Sequence, residues 1–267
     1  MDDLEDYLSV NRRHWDSAVA AHLKSDFYNV KGFLAGECSL NPIELDLLGD
    51  ISGLRILHLQ CHFGLDSLSL ARRGAVVTGV DFSPEAIAAA RTLSAETGIQ
   101  AEFLCCALYD LPQHLNAQFD VVFTSYGTIG WLPDLNAWAA IVAHFLTPGG
   151  RFVMADFHPF IWMFDQTFSE LTYDYFNTGS IVEEEEGSYA DRAAQTSGRN
   201  ITWNHPLSET LGSLLNKGLV IKRFEEYDYS PYPCFANLRQ DGPGVFRFRT
   251  FEHQVPVVFG LLCNKSA

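Results

Sequence analysis

No two of the six cysteines (Cys38, Cys61, Cys105, Cys106, Cys234, Cys263) form a CxxC pair. Their scatter fits reduced thiols in the cytoplasm better than a disulfide framework or a zinc site. No apolar run approaches the roughly 18 to 20 residues that cross a bilayer, so no membrane segment is expected. The opening MDDLEDYLSV lacks the basic start and apolar stretch of a secretory signal. Positive charge is scarce as well: 18 Lys and Arg against 33 Asp and Glu leave a net charge of −15, and no basic cluster offsets it. Such a field repels a phosphate backbone, which argues against a nucleic-acid partner and for a neutral or cationic small molecule. The alternative is that the acidity serves solubility alone. No internal repeat or low-complexity segment is evident, and nothing in the pattern fixes an oligomeric state.

What is present is a chain of 267 residues, 47% hydrophobic, long enough for one large domain or a core with a cap. Leu4, Tyr7, Leu8, Trp15, Val19 and Leu23 recur at helical spacing over residues 3–24. An aromatic, glycine-punctuated stretch follows. Strand and helix patterns then alternate. LRILHL, AVVTGVD, AEFLCCAL, FDVVFTSY and RFVMADFH read as strands. Between them lie DSLSLARRG, SPEAIAAARTLSAETG and LNAWAAIVAHFLTPGG, each ending at a glycine as helices do. This alternation predicts an α/β fold, a parallel sheet with helices on both faces. Ligands in such sheets sit beyond the carboxyl ends of the strands, here Gln60–Gly64, Asp81, Ala107, Ser125–Tyr126 and Asp156–His158. The rhythm breaks after His158. Residues 159–204 predict a strand-rich insertion whose run Glu183–Glu186 reads as a solvated edge. HPLSETLGSLLNKG, LVIKRFEEY and VPVVFGLLCNK then close the chain as one helix and two strands.

The turn after the first strand, QCHFG, keeps one glycine where nucleotide-binding α/β folds use three, with Gln60 and His62 in place of the first two. The second glycine of that turn exists so that backbone can approach a pyrophosphate. Its loss therefore argues against a pyrophosphate more than against a cofactor. Asp81 ends the second strand 17 residues beyond Gly64, where a carboxylate can accept both hydroxyls of a ribose. The other reading, a helix-capping acid, is weakened by Ser83 in the cap position.

These segments resemble the class I S-adenosylmethionine-dependent methyltransferases, in particular the small-molecule branch. HLQCHFG aligns with the family's acidic-x-Gly-x-Gly-x-Gly loop, with His58, Gln60 and His62 as departures and Gly64 as the match. VTGVDFSPEAIAAAR resembles its ribose segment, and FLCCALYDLP its adenine segment, though the usual acid falls at Ala107. The resemblance implies a Rossmann-like doubly wound sheet of about seven strands with a reversed C-terminal hairpin. It divides the chain into a helical lid (1–48), a cofactor-binding core (49–158 and 205–267) and a substrate cap (159–204). It implies S-adenosylmethionine as cofactor, held by Tyr28, Gln60, His62, Gly64, Asp81, Phe82, Ala107, Leu108, Ser125 and Tyr126. Tyr28 would pack beside the methionine portion, where an aromatic face favours a sulfonium.

His158 is the expected general base, because it follows the fifth strand on the ligand face and imidazole titrates near neutrality. Each candidate histidine also has a purely structural reading. Trp15, His22, Trp131, Phe160, Trp162 and His205 are the expected acceptor-pocket residues, with core packing as the alternative. TSYG at the fourth strand lacks the motif for methylating exocyclic amines of bases, and no cluster of acids suggests a catalytic magnesium. The expectation is a metal-independent methyltransferase acting on O, N or C of a small molecule. A nucleotide-dependent oxidoreductase with a degenerate loop and a silent S-adenosylmethionine-binding protein are the alternatives.

Overall fold

Seven strands form the central sheet, seen in a computed structural model that describes residues 7–194 and 196–266. Leu4 and the rest of residues 1–6, counted above in the first helix and the lid, lie outside the described residues, as do Gln195 of the insertion and Ala267. The chain opens with three helices, α1 (Tyr7–His22), α2 (Val30–Leu34) and α3 (Pro42–Leu48). The last of these was not foreseen, although Asn41 and Glu44 form a capping box around Pro42.

The alternating unit follows: β1 (Arg55–Leu59), α4 (Leu65–Arg72), β2 (Val76–Asp81), α5 (Pro84–Thr97), β3 (Glu102–Cys105), α6 (Leu111–His114), β4 (Phe119–Ser125), α7 (Leu135–Phe145) and β5 (Leu146–Phe157). Local chemistry fixes the helix ends. Ser83 Oγ accepts the Ala86 N–H at 3.0 Å to start α5, and Gly98 ends it with φ +70°. Asp134 accepts the Asn136 and Ala137 N–H groups to start α7. These five strands run parallel, and Leu57, Leu59, Val122 and Phe152 are fully buried beneath the fully buried Trp138 and Phe145 of α7. Burying one such side chain stabilises the fold by about 1.5–3 kcal/mol, which makes this layer a stiff platform.

Beyond β5 come the antiparallel pair β6 (Ile181–Glu186) and β7 (Ser197–Thr202), then α8 (Leu207–Asn216), β8 (Leu219–Tyr227), the small pair β9 (Leu238–Gly242) and β10 (Val245–Phe248), and β11 (Val258–Lys265). The sheet order is β3-β2-β1-β4-β5-β11-β8, and β11 runs antiparallel to both of its neighbours. The closing strands are thus adjacent and opposed, but an unexpected excursion carrying β9 and β10 separates them in sequence. The Glu183–Glu186 run makes up the last four of the six residues of β6. Its alternation turns Ile181, Glu183 and Glu185 inward and leaves Val182, Glu184 and Glu186 exposed. Helix α1 lies against β7, where the Asn11 amide both donates to the Ile201 carbonyl and accepts the Ile201 N–H, each at 2.8 Å. One side chain thus saturates a backbone position of the strand.

At Gly64 this arrangement leaves no room for a side chain. The residue holds φ +78°, and a Cβ there would meet the Phe103 ring at 2.7 Å and Ala90 at 2.9 Å. Gly64→Ala combines left-handed strain with overpacking, and a loss of about 2–4 kcal/mol is expected. Urea unfolding measures it; a midpoint equal to that of the unsubstituted protein would contradict the packing described.

Candidate functional site

The loop joining β1 to α4 keeps a glycine-like trace without the glycines. Gln60 has φ +54°, His62 φ +49° and Gly64 φ +78°, so every second residue is left-handed. For a non-glycine residue this costs on the order of 1–2 kcal/mol, and specific bonds hold it. Cys61 N–H donates to Val80 O at 2.9 Å, His62 N–H to Asp81 Oδ2 at 2.9 Å, and Gln60 Nε2 to Thr128 O at 2.8 Å. Gln60 Oε1 is buried without a partner. His62 Nε2 lies 2.9 Å from His22 Nδ1, and His22 Nε2 lies 2.6 Å from Ser188 Oγ. One chain of contacts therefore joins the loop, α1 and the insertion.

Above the loop lies a cavity of about 600 Å³. The strand ends supply its floor: Gln60–Asp66, Asp81, Phe82, Ser125–Thr128 and Asp156. Its roof comes from α1 and the following segment through His14, Trp15, Phe27 and Tyr28, and its far wall from Trp162, Tyr173, Glu183, Glu185, Tyr189 and Asn200. A narrow niche of about 40 Å³ adjoins it, lined by Gln60, Asp81, Phe82, Cys106, Leu108 and Trp131. Asp81 stands where the two spaces meet. Its carboxylate accepts the His62 and Ser83 N–H groups, each at 2.9 Å, while burial raises its pKa to about 6.

Of the expected cofactor residues, Tyr28, Gln60, His62, Gly64, Asp81, Phe82, Ser125 and Tyr126 line the cavity, and Leu108 lines the niche. Ala107 is buried beside Leu108 without lining either space. Tyr28 packs 4.7 Å from Phe63 and 5.6 Å from His62, ring to ring, and its hydroxyl bonds that of Tyr189. These residues suit S-adenosylmethionine: a carboxylate for ribose hydroxyls, a flat niche beside Phe82, and an orphaned buried oxygen on Gln60 to receive a donor. The niche and the loop leave no glycine cradle for a pyrophosphate.

The acceptor-side expectations divide. Trp15, Trp131 and Trp162 line the cavity. Four other expected residues need correction. Phe160 turns away from it, packing 5.6 Å from Phe164. His205 is buried with its Nε2 2.7 Å from Leu132 O and its Nδ1 3.0 Å from Glu209, so both ring nitrogens are engaged at the start of α8. His158, expected as the base, does not reach the cavity. Its Nδ1 accepts the Phe160 N–H at 3.1 Å, which ties the ring to the turn after β5, and its Nε2, buried without a hydrogen bond, lies 3.1 Å from Glu226 on β8. His22 touches only a small side pocket, through which it supports His62.

The sequence reading missed His14. It lines the cavity, stacks on Trp131 with ring centroids 5.6 Å apart, and lies 3.7 Å from Glu185; burial lowers its pKa. The signal was its place beside Trp15 on a helix that covers the site. Four carboxylates lie at or near the cavity, those of buried Glu44, Asp81 and Asp156 and of half-buried Asp66, and withdrawal from water raises the pKa of each. Asp156 receives N–H groups from Gly127, Thr128 and Phe157 together with the Thr128 hydroxyl, and so pins the turn after β4. Among the described residues no group of three or more His, Cys, Asp or Glu side chains is arranged to hold a metal.

Residues 56–150 match the family described as a methyltransferase domain. The ubiquinone biosynthesis O-methyltransferase of Xylella fastidiosa (strain 9a5c) is 35% identical over 154 residues, 57% of this chain and 62% of that protein. The enzyme of the same name from Xanthomonas oryzae pv. oryzae (strain PXO99A) is 34% identical over 120 residues, 44% of this chain and 50% of that protein. The chain thus spans between half and two thirds of the length of these curated relatives. Among solved structures, an S-adenosylmethionine-dependent methyltransferase from Mesorhizobium loti superposes with a TM-score of 0.57 at 20% identity, covering 87% of this chain and 100% of that one. A complex of DhpI with SAH superposes at 0.58 with 17% identity, covering 98% of both chains. At these identities the structures speak for the fold.

Burial lowers the pKa of His22 to about 4 and that of His58 to about 3. Both folded values lie below the unfolded one, so the stability these neutral rings contribute is full above pH ~6.5 and is lost as pH falls toward the folded values. Heteronuclear NMR should find both imidazoles neutral at about pH 5; titration of either near its ordinary value would contradict this environment.

Proposed function

We propose that this chain, whose residues 56–150 match a methyltransferase-domain family, is a class I S-adenosylmethionine-dependent methyltransferase that transfers a methyl group to O, N or C of a small-molecule acceptor. The observation that carries the proposal is Asp81. It stands at the carboxyl end of the second strand, on the border of cavity and niche, beside a loop that keeps the left-handed trace of a cofactor turn. Bound there, S-adenosylmethionine supplies a methyl group activated by a sulfonium. Asp81 accepts the ribose hydroxyls, Phe82 and Leu108 flank the adenine, and Tyr28 and Trp15 close the roof. Orienting the acceptor in line with the methyl group is the main catalytic task, and the aromatic walls do it by restricting approach and excluding water.

His14 takes the place expected for His158. It is an uncharged imidazole on the cavity wall, backed by Glu185, and suited to take a proton from the acceptor. The six free thiols support a reducing compartment such as the cytoplasm. Among the described residues no helix is long and apolar enough to cross a membrane. The relatives' printed activity suggests an oxygen nucleophile, and a hydroxylated aromatic acceptor suits walls made of Phe157, Trp162, Tyr173 and Phe235.

Calorimetry should give binding of S-adenosylhomocysteine and none of NAD, and Asp81→Ala should weaken it by about 2–4 kcal/mol through lost charge-assisted hydrogen bonds. Ionised Asp81 is the form that accepts the hydroxyls, so affinity should rise as pH climbs through about 6 and lose that dependence in Asp81→Asn. NAD binding without response to S-adenosylhomocysteine would sink the proposal. With a labelled cofactor and a screen of small phenols and amines, His14→Gln should lower turnover by about 10²–10⁴ at unchanged cofactor affinity, and His158→Gln should not. Cofactor binding without any turnover across the screen would favour a silent binder.

A further inference from the structure

We infer that Asp66, in the first turn of α4, is the carboxylate that pairs with the α-ammonium of the cofactor, a charge that the end of β1 does not offer. The inference rests on reading the cavity as an S-adenosylmethionine site. At the β1 end, the position where the resemblance has an acid holds His58. That side chain is buried, its Nδ1 is bonded to Ser67 Oγ at 2.8 Å, and it carries no negative charge. Asp66 lines the cavity two residues after Gly64, next to the loop amides that would receive the carboxylate of the same amino-acid end.

Its surroundings point to a missing cation. Ser39 Oγ donates to Asp66 Oδ1 at 2.6 Å, and Ser125 Oγ donates to Oδ2 at 3.3 Å. Both donors are neutral hydroxyls, from the segment after α2 and from the end of β4. No Lys, Arg or His pairs with Asp66 among the described residues, and the ionisable side chains around it, Glu44, Tyr126 and Tyr232, are acids. Asp66 is half-buried, and a carboxylate withdrawn from part of its water that meets two hydroxyls and no counter-charge is a favourable partner for a cationic ligand. A carboxylate has about four acceptor positions, so two remain for an ammonium.

The neighbouring acids are less suited. Glu44 does not line the cavity and already receives the Asn41 N–H at 2.6 Å, the Asn41 amide at 3.0 Å and the Tyr126 hydroxyl at 2.7 Å. Asp156 is spent on the backbone of the turn after β4. Gln60 Oε1, buried without a partner in the same cavity, is a second acceptor for the same ammonium. Asp66 is therefore a cofactor-positioning residue, and it leaves the sulfonium to the aromatic roof.

The test is titration calorimetry of the full chain and of Asp66→Asn with three ligands. S-adenosylmethionine carries both cations, S-adenosylhomocysteine carries the ammonium alone, and 5′-methylthioadenosine lacks the amino-acid end. Asp66→Asn should bind the first two about 10- to 100-fold more weakly, by the same factor for each, and bind 5′-methylthioadenosine within about 3-fold of the unsubstituted protein. Unchanged affinity for S-adenosylhomocysteine overturns the inference, as does loss confined to S-adenosylmethionine, which would assign Asp66 to the sulfonium. Equal loss for all three ligands overturns it too, since Asp66 would then hold the site together. If the unsubstituted protein binds none of them, the cofactor reading itself fails. Deaminated S-adenosylhomocysteine gives a check that needs no variant. It should bind the unsubstituted protein about 10- to 100-fold more weakly than S-adenosylhomocysteine, and equal affinity overturns the pairing.

Discussion

The left-handed backbone at Gln60, His62 and Gly64 is the constraint on which the rest of the site depends. Only Gly64 adopts that conformation without strain, so two residues of the turn are held by what they touch. The contacts that hold them are also the contacts that build the cavity. Asp81 receives the His62 amide and faces the ligand space, and Thr128 receives Gln60 while being fixed itself by Asp156. His22 brings α1 down onto His62, and Ser188 of the insertion comes with it. Loop, lid and insertion are one hydrogen-bonded unit. A glycine-rich turn would leave these elements free to move independently, and the larger side chains here replace that freedom with a fixed roof.

How much of this was legible in the sequence depended on the range of the interaction. The parallel strands from Arg55 to Phe157 and their helices were readable because period, cap and stop lie within a few residues of each other, as with Ser83, Pro84 and Gly98 around α5. Asp81 was readable for the same reason, being the last residue of an apolar run. Helix α3 carried an equally local signal in Asn41, Pro42 and Glu44 that was passed over. The pair β9–β10 has a turn at Pro243-Gly244, but its strands span only five and four residues, and Arg239 and Arg247, ion-paired with Asp228, Asp241 and Glu252, leave too little apolar pattern to read. His158 and His14 mark the limit of inference from position. His158 follows a strand on the ligand face and His14 sits midway along α1, and only the direction of the ring separates one turned to Glu226 from one that lines the cavity.

The buried acids give the site a polarity that the overall charge conceals. A net charge of −15 describes the surface field, while the carboxylates of Glu44, Asp66, Asp81 and Asp156 act within a water-poor enclosure where each is met by amide or hydroxyl hydrogens. Asp156 and Glu44 have most of their oxygens taken up by protein hydrogen bonds. Asp66 and Asp81 line the space with acceptor positions to spare. The tyrosines around Asp66 (Tyr28, Tyr126 and Tyr232) keep their protons firmly, since burial and the nearby acids push their pKa values up. That end of the cavity is lined by oxygen without being able to accumulate further negative charge.

The place of β11 has a consequence for how the chain assembles. It lies between β5 and β8 and bonds to both, so β8 has no edge to join until residues 258–265 have been made and docked. The five parallel strands can pair with one another from residues 55–157 alone, although their core is completed by residues such as Leu214, Leu219, Phe259 and Leu261. Helix α8, β8 and the β9–β10 excursion must wait, and during that wait the outer edge of β5 is an unpaired template. Pairing β5 with a strand about 100 residues downstream is slow, because the loop entropy is lost before the contact forms. Assembly should therefore proceed in two stages, with the sheet sealed from its interior by the strand that arrives last.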